Sequence, residues 1–250
     1  MTNLIASEFF KLRSTRTFYA FIITCLALVL LPTIPVSAFA DFGQDSDGLE
    51  VLVFFLGGLV QTFAMLIGIL AVTSEFRHGT ITPSLLVVPN RLRLMVGKLA
   101  AAVLTGLALG LVANGLIVAI VSFFASTRDF SVTGDKLGMV IGGMVATGLY
   151  AALGVGIGAL VRNQVGAIVG ALVYIFVLEP IIGALFSLSD ALDGIMPRYS
   201  LGAVSNGLSA VNINDENLLG QVAAGGLLAL YALIFIVAGF LLTQRRDVTA

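Results

Sequence analysis

The chain has 250 residues, of which 58% are hydrophobic and only 11% are charged. Soluble globular proteins carry about 25% charged residues, so this composition excludes a soluble domain and indicates a protein that folds in lipid. The 13 basic and 14 acidic residues nearly cancel. The net charge therefore gives no reason to expect a nucleic acid partner.

The first 16 residues predict an amphipathic helix lying along a membrane interface. Leu4, Ile5, Phe9 and Leu12 recur near helical spacing, and polar residues occupy the opposite face. A polar tail with a few stray apolar residues is the alternative.

Six long apolar stretches then predict six membrane-spanning helices in a single transmembrane domain over residues 1–250. A helix needs about 20 residues to cross roughly 30 Å of hydrocarbon. The predicted spans are 17–40, 51–74, 99–127, 137–161, 163–187 and 217–244. We therefore expect an all-α polytopic membrane protein with both termini on one side.

The charges between these stretches predict which side that is. Ten of the 13 basic residues fall in the N-terminal segment, in the gaps after the second and fourth stretches, and after the sixth. Ten of the 14 acidic residues fall in the remaining gaps. Because cytoplasmic loops carry the excess of Lys and Arg, we expect both termini in the cytoplasm and the protein in the cell membrane.

The sequence contains few residues that could form a catalytic or metal site. Cys25 and His78 are the only residues of their types, so a disulfide, a His/Cys metal site and a Ser-His-Asp triad are not expected. Gly97-Lys98 faintly matches the end of a phosphate-binding loop, but Leu92 stands where its first glycine belongs. We expect no catalytic residue, no metal and no cofactor on this chain.

The gap between the second and third spans is the most structured polar segment. Its first part continues the second helix, and Gly79 can supply the positive φ that ends it. Opposed charges around an aromatic residue favour protein docking by Glu75, Phe76, Arg77, His78, Gly79 and Thr80. Basic residues mark re-entry into the membrane, and we interpret Arg91, Arg93 and Lys98 as ligands of lipid head groups.

With this segment in place, the whole chain resembles the membrane subunits of type-2 ATP-binding-cassette (ABC) transporters, the small drug and antibiotic exporter permeases. The matching residues are Glu75, Gly79-Thr80-Ile81, the Leu85–Pro89 stretch, Arg91 and Lys98. Their order and placement are more specific than any one of them.

The resemblance implies that the cytoplasmic segment forms a coupling helix between helices 2 and 3, which docks into a separate ATPase subunit present in two copies. ATP and Mg would bind to that partner. It also implies a second permease subunit, identical or paralogous, short outer helices between helices 5 and 6, and export of a hydrophobic or amphipathic substrate.

In such transporters the two membrane subunits face each other chiefly through their second and fifth helices. The matching faces here are Phe54, Gly58, Gln61 and Met65 on the second helix, and Asn163, Gly166, Gly170 and Tyr174 on the fifth. These faces can line a substrate path, and ordinary packing within one subunit is an equal alternative.

Glu179 is the sole carboxylate inside a predicted span. It lies 17 residues after Arg162, roughly 25 Å along the helix, which places it toward the outer boundary. It is a candidate outer gate together with Arg198, and a structural carboxylate bound to Arg198 or to a backbone amide is the alternative. An ion-coupled secondary transporter, or a membrane sensor without an ATPase, also remains open as a function.

Overall fold

The computed structural model describes residues 2–39, 47–80, 90–128, 136–188, 195–209 and 219–245. Within these ranges the fold is all-α, as predicted, and contains no strand. The helices are α1 (Thr2–Ser14), α2 (Arg16–Phe39), α3 (Asp47–Arg77), α4 (Arg91–Arg128), α5 (Lys136–Val161), α6 (Gln164–Val173), a π-helical turn (Tyr174–Leu178), α7 (Glu179–Phe186), α8 (Met196–Tyr199), α9 (Leu201–Leu208) and α10 (Gln221–Arg245).

Six candidate membrane spans are confirmed among the described residues, which makes this a multi-pass membrane protein. They are Arg16–Phe39, Phe55–Arg77, Arg91–Phe124, Leu137–Val161, Gln164–Phe186 and Gln221–Thr243. The helix of the third span, α4, begins eight residues before the predicted boundary. Asn90 caps it, because its side chain accepts a hydrogen bond from the Arg93 amide at 3.1 Å.

Two helices form the centre of the bundle. The spans of α3 and α5 are 72% and 67% buried, whereas those of α6–α7 and α10 are 11% and 17% buried. Glycines let the central pair approach closely, since a Cβ at Gly68 would collide with the Ala151 carbonyl and one at Gly154 with the Met65 carbonyl. These glycines therefore act within one chain.

The fifth span is not a uniform α-helix. The amide of Glu179 donates to the Tyr174 carbonyl, five residues earlier, and this wider turn separates α6 from α7. Pro180 follows directly, and its ring would clash with the carbonyl four residues before it in a regular α-helix. A π-turn at this position avoids that clash.

Between the fifth and sixth spans, the described residues form two short helices, α8 and α9, as expected. Ser200 caps α9 by accepting a hydrogen bond from the Ala203 amide at 3.1 Å. Leu201, Val204 and Leu208 are buried in a cluster shared with α5 and α10. The central part of the expected coupling helix, including the Leu85–Pro89 stretch, lies outside the described residues.

Candidate functional site

The C-terminal end of α3, which is predicted to lie in the cytoplasm, has a defined helix cap. Gly79 has a φ of +64°, as the sequence predicts. The Thr80 amide donates to the Glu75 carbonyl at 3.0 Å, and the Gly79 amide donates to the Phe76 carbonyl at 3.4 Å. This pair of hydrogen bonds is the Schellman motif. It leaves residues 77–80, which we call the α3 cap, exposed to solvent.

We expect Gly79→Ala to destabilise the protein by about 1–2 kcal/mol, because a Cβ is disfavoured in the left-handed region. Gly79→Asn should cost less, since Asn tolerates this conformation. The check is unfolding in mixed micelles, followed by far-ultraviolet circular dichroism. Gly58→Ala is the matched control in the same helix, because no atom of the described residues lies within 4 Å of its added Cβ. An equal loss in both alanine variants would contradict the prediction.

Directly beside the α3 cap, four charged side chains form what we call the ionic cluster: Glu8, Lys11, Glu75 and Lys98. The Lys98 Nζ lies 2.6 Å from the Glu8 Oε2 and 2.6 Å from the Glu75 Oε1. The Lys11 Nζ lies 2.6 Å from the Glu8 Oε1 and 3.2 Å from the Glu75 Oε1. Two ammonium groups thus bridge two carboxylates and join α1, α3 and α4.

Burial of the ionic cluster corrects two predictions. The side chains of Lys98, Glu8 and Glu75 are only 3%, 4% and 8% exposed. Charges at this depth persist only when they are paired, and each of these is paired within the chain. Lys98 therefore does not reach lipid head groups as predicted, and Glu75 supports the α3 cap from inside instead of presenting a docking surface.

Two members of the cluster, Glu8 and Lys11, have shifted pKa values. Burial opposes the charged form of Glu8, but Lys98 and Lys11 outweigh it and lower the pKa of that carboxyl below its usual value. Burial likewise opposes the charge on Lys11, while Glu8 and Glu75 raise the pKa of its ammonium. Among the described residues, no group of three His, Cys, Asp or Glu side chains could hold a metal ion.

Glu8 is the functional candidate that the sequence analysis missed. It lies one turn after Leu4 and one turn before Leu12, so it interrupts the apolar face of α1. That face packs on α4, where a Cβ at Gly97 would already lie 3.0 Å from the Leu4 Cγ. Glu8 is the only acidic residue among the first 40, and a lone carboxylate in an apolar stripe is the signal that could have identified it.

The end of α3 also contacts the junction between α5 and α6. The Arg162 guanidinium carbon lies 5.0 Å from the centre of the Phe76 ring, a cation–π geometry. The Arg77 Nη1 donates to the Gln164 Oε1 at 3.2 Å. Asn163 caps α6, because its Oδ1 accepts a hydrogen bond from the Gly166 amide at 3.0 Å. Asn163, which was predicted to line the substrate path, therefore stabilises the N-terminus of α6.

Four of the predicted path residues meet at one groove. Met65, Gly166, Gly170 and Tyr174 line a cavity of about 490 Å³, together with residues of α5, α9 and α10. Gly58, Gln61 and Asn163 are not among its lining residues, and the side chain of Phe54 lies outside the described part of the chain. Most of the predicted face of the fifth span therefore lines the groove, but among the described residues of the second span Met65 is the one predicted residue that does.

The expected subunit-facing surface on the second helix needs correction. Gln61 and Met65 are 3% and 1% exposed in the single chain, so they face the interior of the bundle. The physical reason is the close packing of α3 against α5 through glycine. Only the fifth helix, of the two, presents a largely uncovered span.

The other predicted residues divide between defined contacts and open surface. Glu179 accepts a hydrogen bond at 2.7 Å from the Gly202 amide, in the first turn of α9. Arg198, in the short helix α8, is exposed. The assignment of Glu179 and Arg198 as an outer gate stays a prediction. Arg91 donates to the Thr243 carbonyl at 3.3 Å, at the end of α10, while Arg93 is exposed and remains a candidate for head-group binding.

The sequence pattern of the DUF2705 family, described as a protein of unknown function, matches residues 17–249. The chain belongs to this family. The DUF2705 match covers all six spans, the α3 cap, Glu75 and Lys98, while Glu8 and Lys11 precede it. No curated protein matches the chain.

Proposed function

We propose that this DUF2705 protein is the permease subunit of an ATP-driven transporter of the ABC type, which works with separate ATPase subunits and exports a hydrophobic or amphipathic substrate. The observation that supports this best is the ionic cluster beneath the exposed α3 cap. A surface on which a partner can push lies directly over a buried link among three helices.

The contacts around the cap give the proposed mechanism its route. Displacement of the α3 cap would act on α1 and α4 through the ionic cluster, and on α5 and α6 through the contacts of Phe76 and Arg77. Because α3 and α5 are the central pair, movement at this end would reach the interior of the bundle. Rigid helices joined by such contacts can carry a partner's closure as a rigid-body shift.

The groove of about 490 Å³ supports an apolar cargo. Its wall combines Met65 and Leu153 of the central helices with Tyr174 and Tyr231 of the outer ones, so aliphatic and aromatic surface dominates and few polar groups converge there. Sites of this composition suit hydrophobic or amphipathic ligands. A second permease subunit would cover the exposed fifth helix.

The test is affinity purification of the chain from native membranes with a double variant of the α3 cap, His78→Glu with Thr80→Glu. Both residues are exposed and neither belongs to the ionic cluster. We expect a nucleotide-binding subunit to copurify with the unaltered chain and to be reduced at least tenfold with the variant. Ser187→Glu, exposed at the far end of the fifth span, is the control that should retain the partner.

Two results would overturn the proposal. One is stable isolation of the chain with no ATPase, accompanied by ion-driven uptake in vesicles, which would favour the secondary transporter. The other is a copurifying signalling protein in place of an ATPase, which would favour the sensor. Recovery of the ATPase at equal yield with the double variant would instead remove the α3 cap as its docking surface.

A further inference from the structure

A second cavity, of about 470 Å³, lies beside the ionic cluster where α1, α2, α3 and α4 meet. Phe18, Ile67 and Leu70 supply apolar wall, whereas Glu75 and Arg77 supply charged wall. The cavity is therefore amphipathic, and it lies at the ends of the spans, where a bilayer changes from hydrocarbon to head groups. The proposed transport path does not use it, while Arg77, His78 and Thr80 of its wall also belong to the α3 cap.

Glu75, one of the residues that line this cavity, carries an unsatisfied acceptor. Both lysines of the ionic cluster bind the Oε1 of Glu75, while its Oε2 is buried and has no hydrogen-bond partner among the described residues. Leaving a buried polar atom without a partner is unfavourable, and more so when the atom is charged. The site therefore lacks one hydrogen-bond donor, and a charged donor would satisfy a carboxylate best.

The charges around this acceptor define the rest of the ligand. The cluster itself is balanced, with two carboxylates and two ammonium groups, so a bare cation would leave an excess positive charge. Arg77 is exposed at the cavity and Lys11 is half exposed. Guanidinium and ammonium groups bind phosphate. A ligand that carries both an ammonium and a phosphate matches this arrangement, and its acyl chains match the apolar wall.

We propose that this cavity binds the head group of an aminophospholipid, phosphatidylethanolamine in its simplest form, from the leaflet in which α1 lies. The lipid ammonium donates to the Oε2 of Glu75, the phosphate lies against Arg77, and an acyl chain follows Phe18. Because the cavity lies at the ends of the membrane spans, we favour a lipid of that leaflet over a protein side chain as the occupant.

The first experiment needs no variant. The full chain, purified in detergent with equimolar lipids, is analysed by native mass spectrometry for bound phosphatidylethanolamine, its N-methyl and N,N-dimethyl forms, and phosphatidylcholine. We expect one tightly retained lipid and a drop of about tenfold in retention when the last N–H is lost at phosphatidylcholine, because one charge-assisted hydrogen bond disappears. Equal retention across the series would overturn the proposal.

Phosphatidylglycerol distinguishes the ammonium from a neutral donor. It carries a phosphate and hydroxyl donors but no cation, so we expect weaker retention than for phosphatidylethanolamine. Equal retention of phosphatidylglycerol would overturn the ammonium assignment. Retention of a peptide from a copurified partner in place of any lipid would overturn the lipid itself.

A cavity-filling variant then locates the site. Ser74→Phe inserts a large side chain into the cavity and leaves the four charges of the ionic cluster in place. We expect it to abolish the preference for phosphatidylethanolamine, while Ser187→Phe, an equal change on a distant exposed surface, should keep it. A preference that survives Ser74→Phe would place the lipid elsewhere and overturn the proposal. The N-methyl series decides the matter if that variant does not fold.

Discussion

Replacing Lys98 with methionine should lower the free energy of unfolding by about 3–5 kcal/mol, because the substitution leaves Glu8 and Glu75 as buried carboxylates without their central partner. The Lys98 Nζ lies 2.6 Å from both carboxylates and its side chain is only 3% exposed, so the substitution removes a close partner from two largely buried charges. Unfolding in mixed micelles, followed by circular dichroism, measures the effect.

The matched control is Arg93→Met, which removes the same charge from an exposed position in the same helix and should change stability by no more than about 0.5 kcal/mol. Adding Glu8→Gln to Lys98→Met should restore part of the loss, because it removes one of the stranded carboxylates. A double variant whose loss equals the sum of the two single losses would show that Glu8 and Lys98 are not coupled.

The difference in stability between the unaltered chain and Lys98→Met should depend on pH, and the direction of that dependence follows from the pKa of Glu8. Because the pKa of Glu8 is lowered in the folded chain, its contribution is present above the ordinary carboxyl pKa and is lost as the pH falls through the lower folded value. Protonation of Glu8 also relieves the loss of its partner in the Lys98→Met variant. The stability difference between the two proteins should therefore shrink in acid, and a constant difference would contradict this electrostatic account.

The six spans could be predicted from the sequence because lipid imposes a strong local rule. A helix that crosses the hydrocarbon needs an uninterrupted apolar run, and each run is visible without knowledge of its neighbours. The turn at Gly79 was equally accessible, since a glycine after the last helical turn is a local signal. Both predictions depend on residues that are adjacent in the sequence.

The ionic cluster could not be predicted in this way, because its members come from three separate helices. The lysines and Glu75 resemble ordinary interfacial charges when each is considered in its own segment. Only the packing of α1 on α4 brings Glu8 to Lys98, 90 residues away. The inward orientation of Gln61 and Met65 escaped for the same reason, since an almost wholly apolar helix carries no pattern that separates a lipid face from a buried one.

The close contact between α3 and α5 predicts the second large effect. A Cβ at Gly154 would collide with the Met65 carbonyl, and a backbone carbonyl cannot move aside as a flexible side chain can. Gly154→Ala should therefore force the two central helices apart and destabilise the protein by about 1–3 kcal/mol, against a small gain in helix propensity. Unfolding in mixed micelles measures the loss.

Gly170→Ala is the matched control, because it adds the same methyl group to another membrane helix, at a point with no neighbouring atom within 4 Å in the described part of the chain. It should be neutral or slightly stabilising, since alanine favours the helix. The contrast separates close packing within one chain from assembly between two chains: Gly154 lies on a buried helix, whereas Gly170 lines the groove on the exposed fifth span. A large loss of stability at Gly170 with none at Gly154 would contradict the packing account and move the tight helix contact to the fifth span.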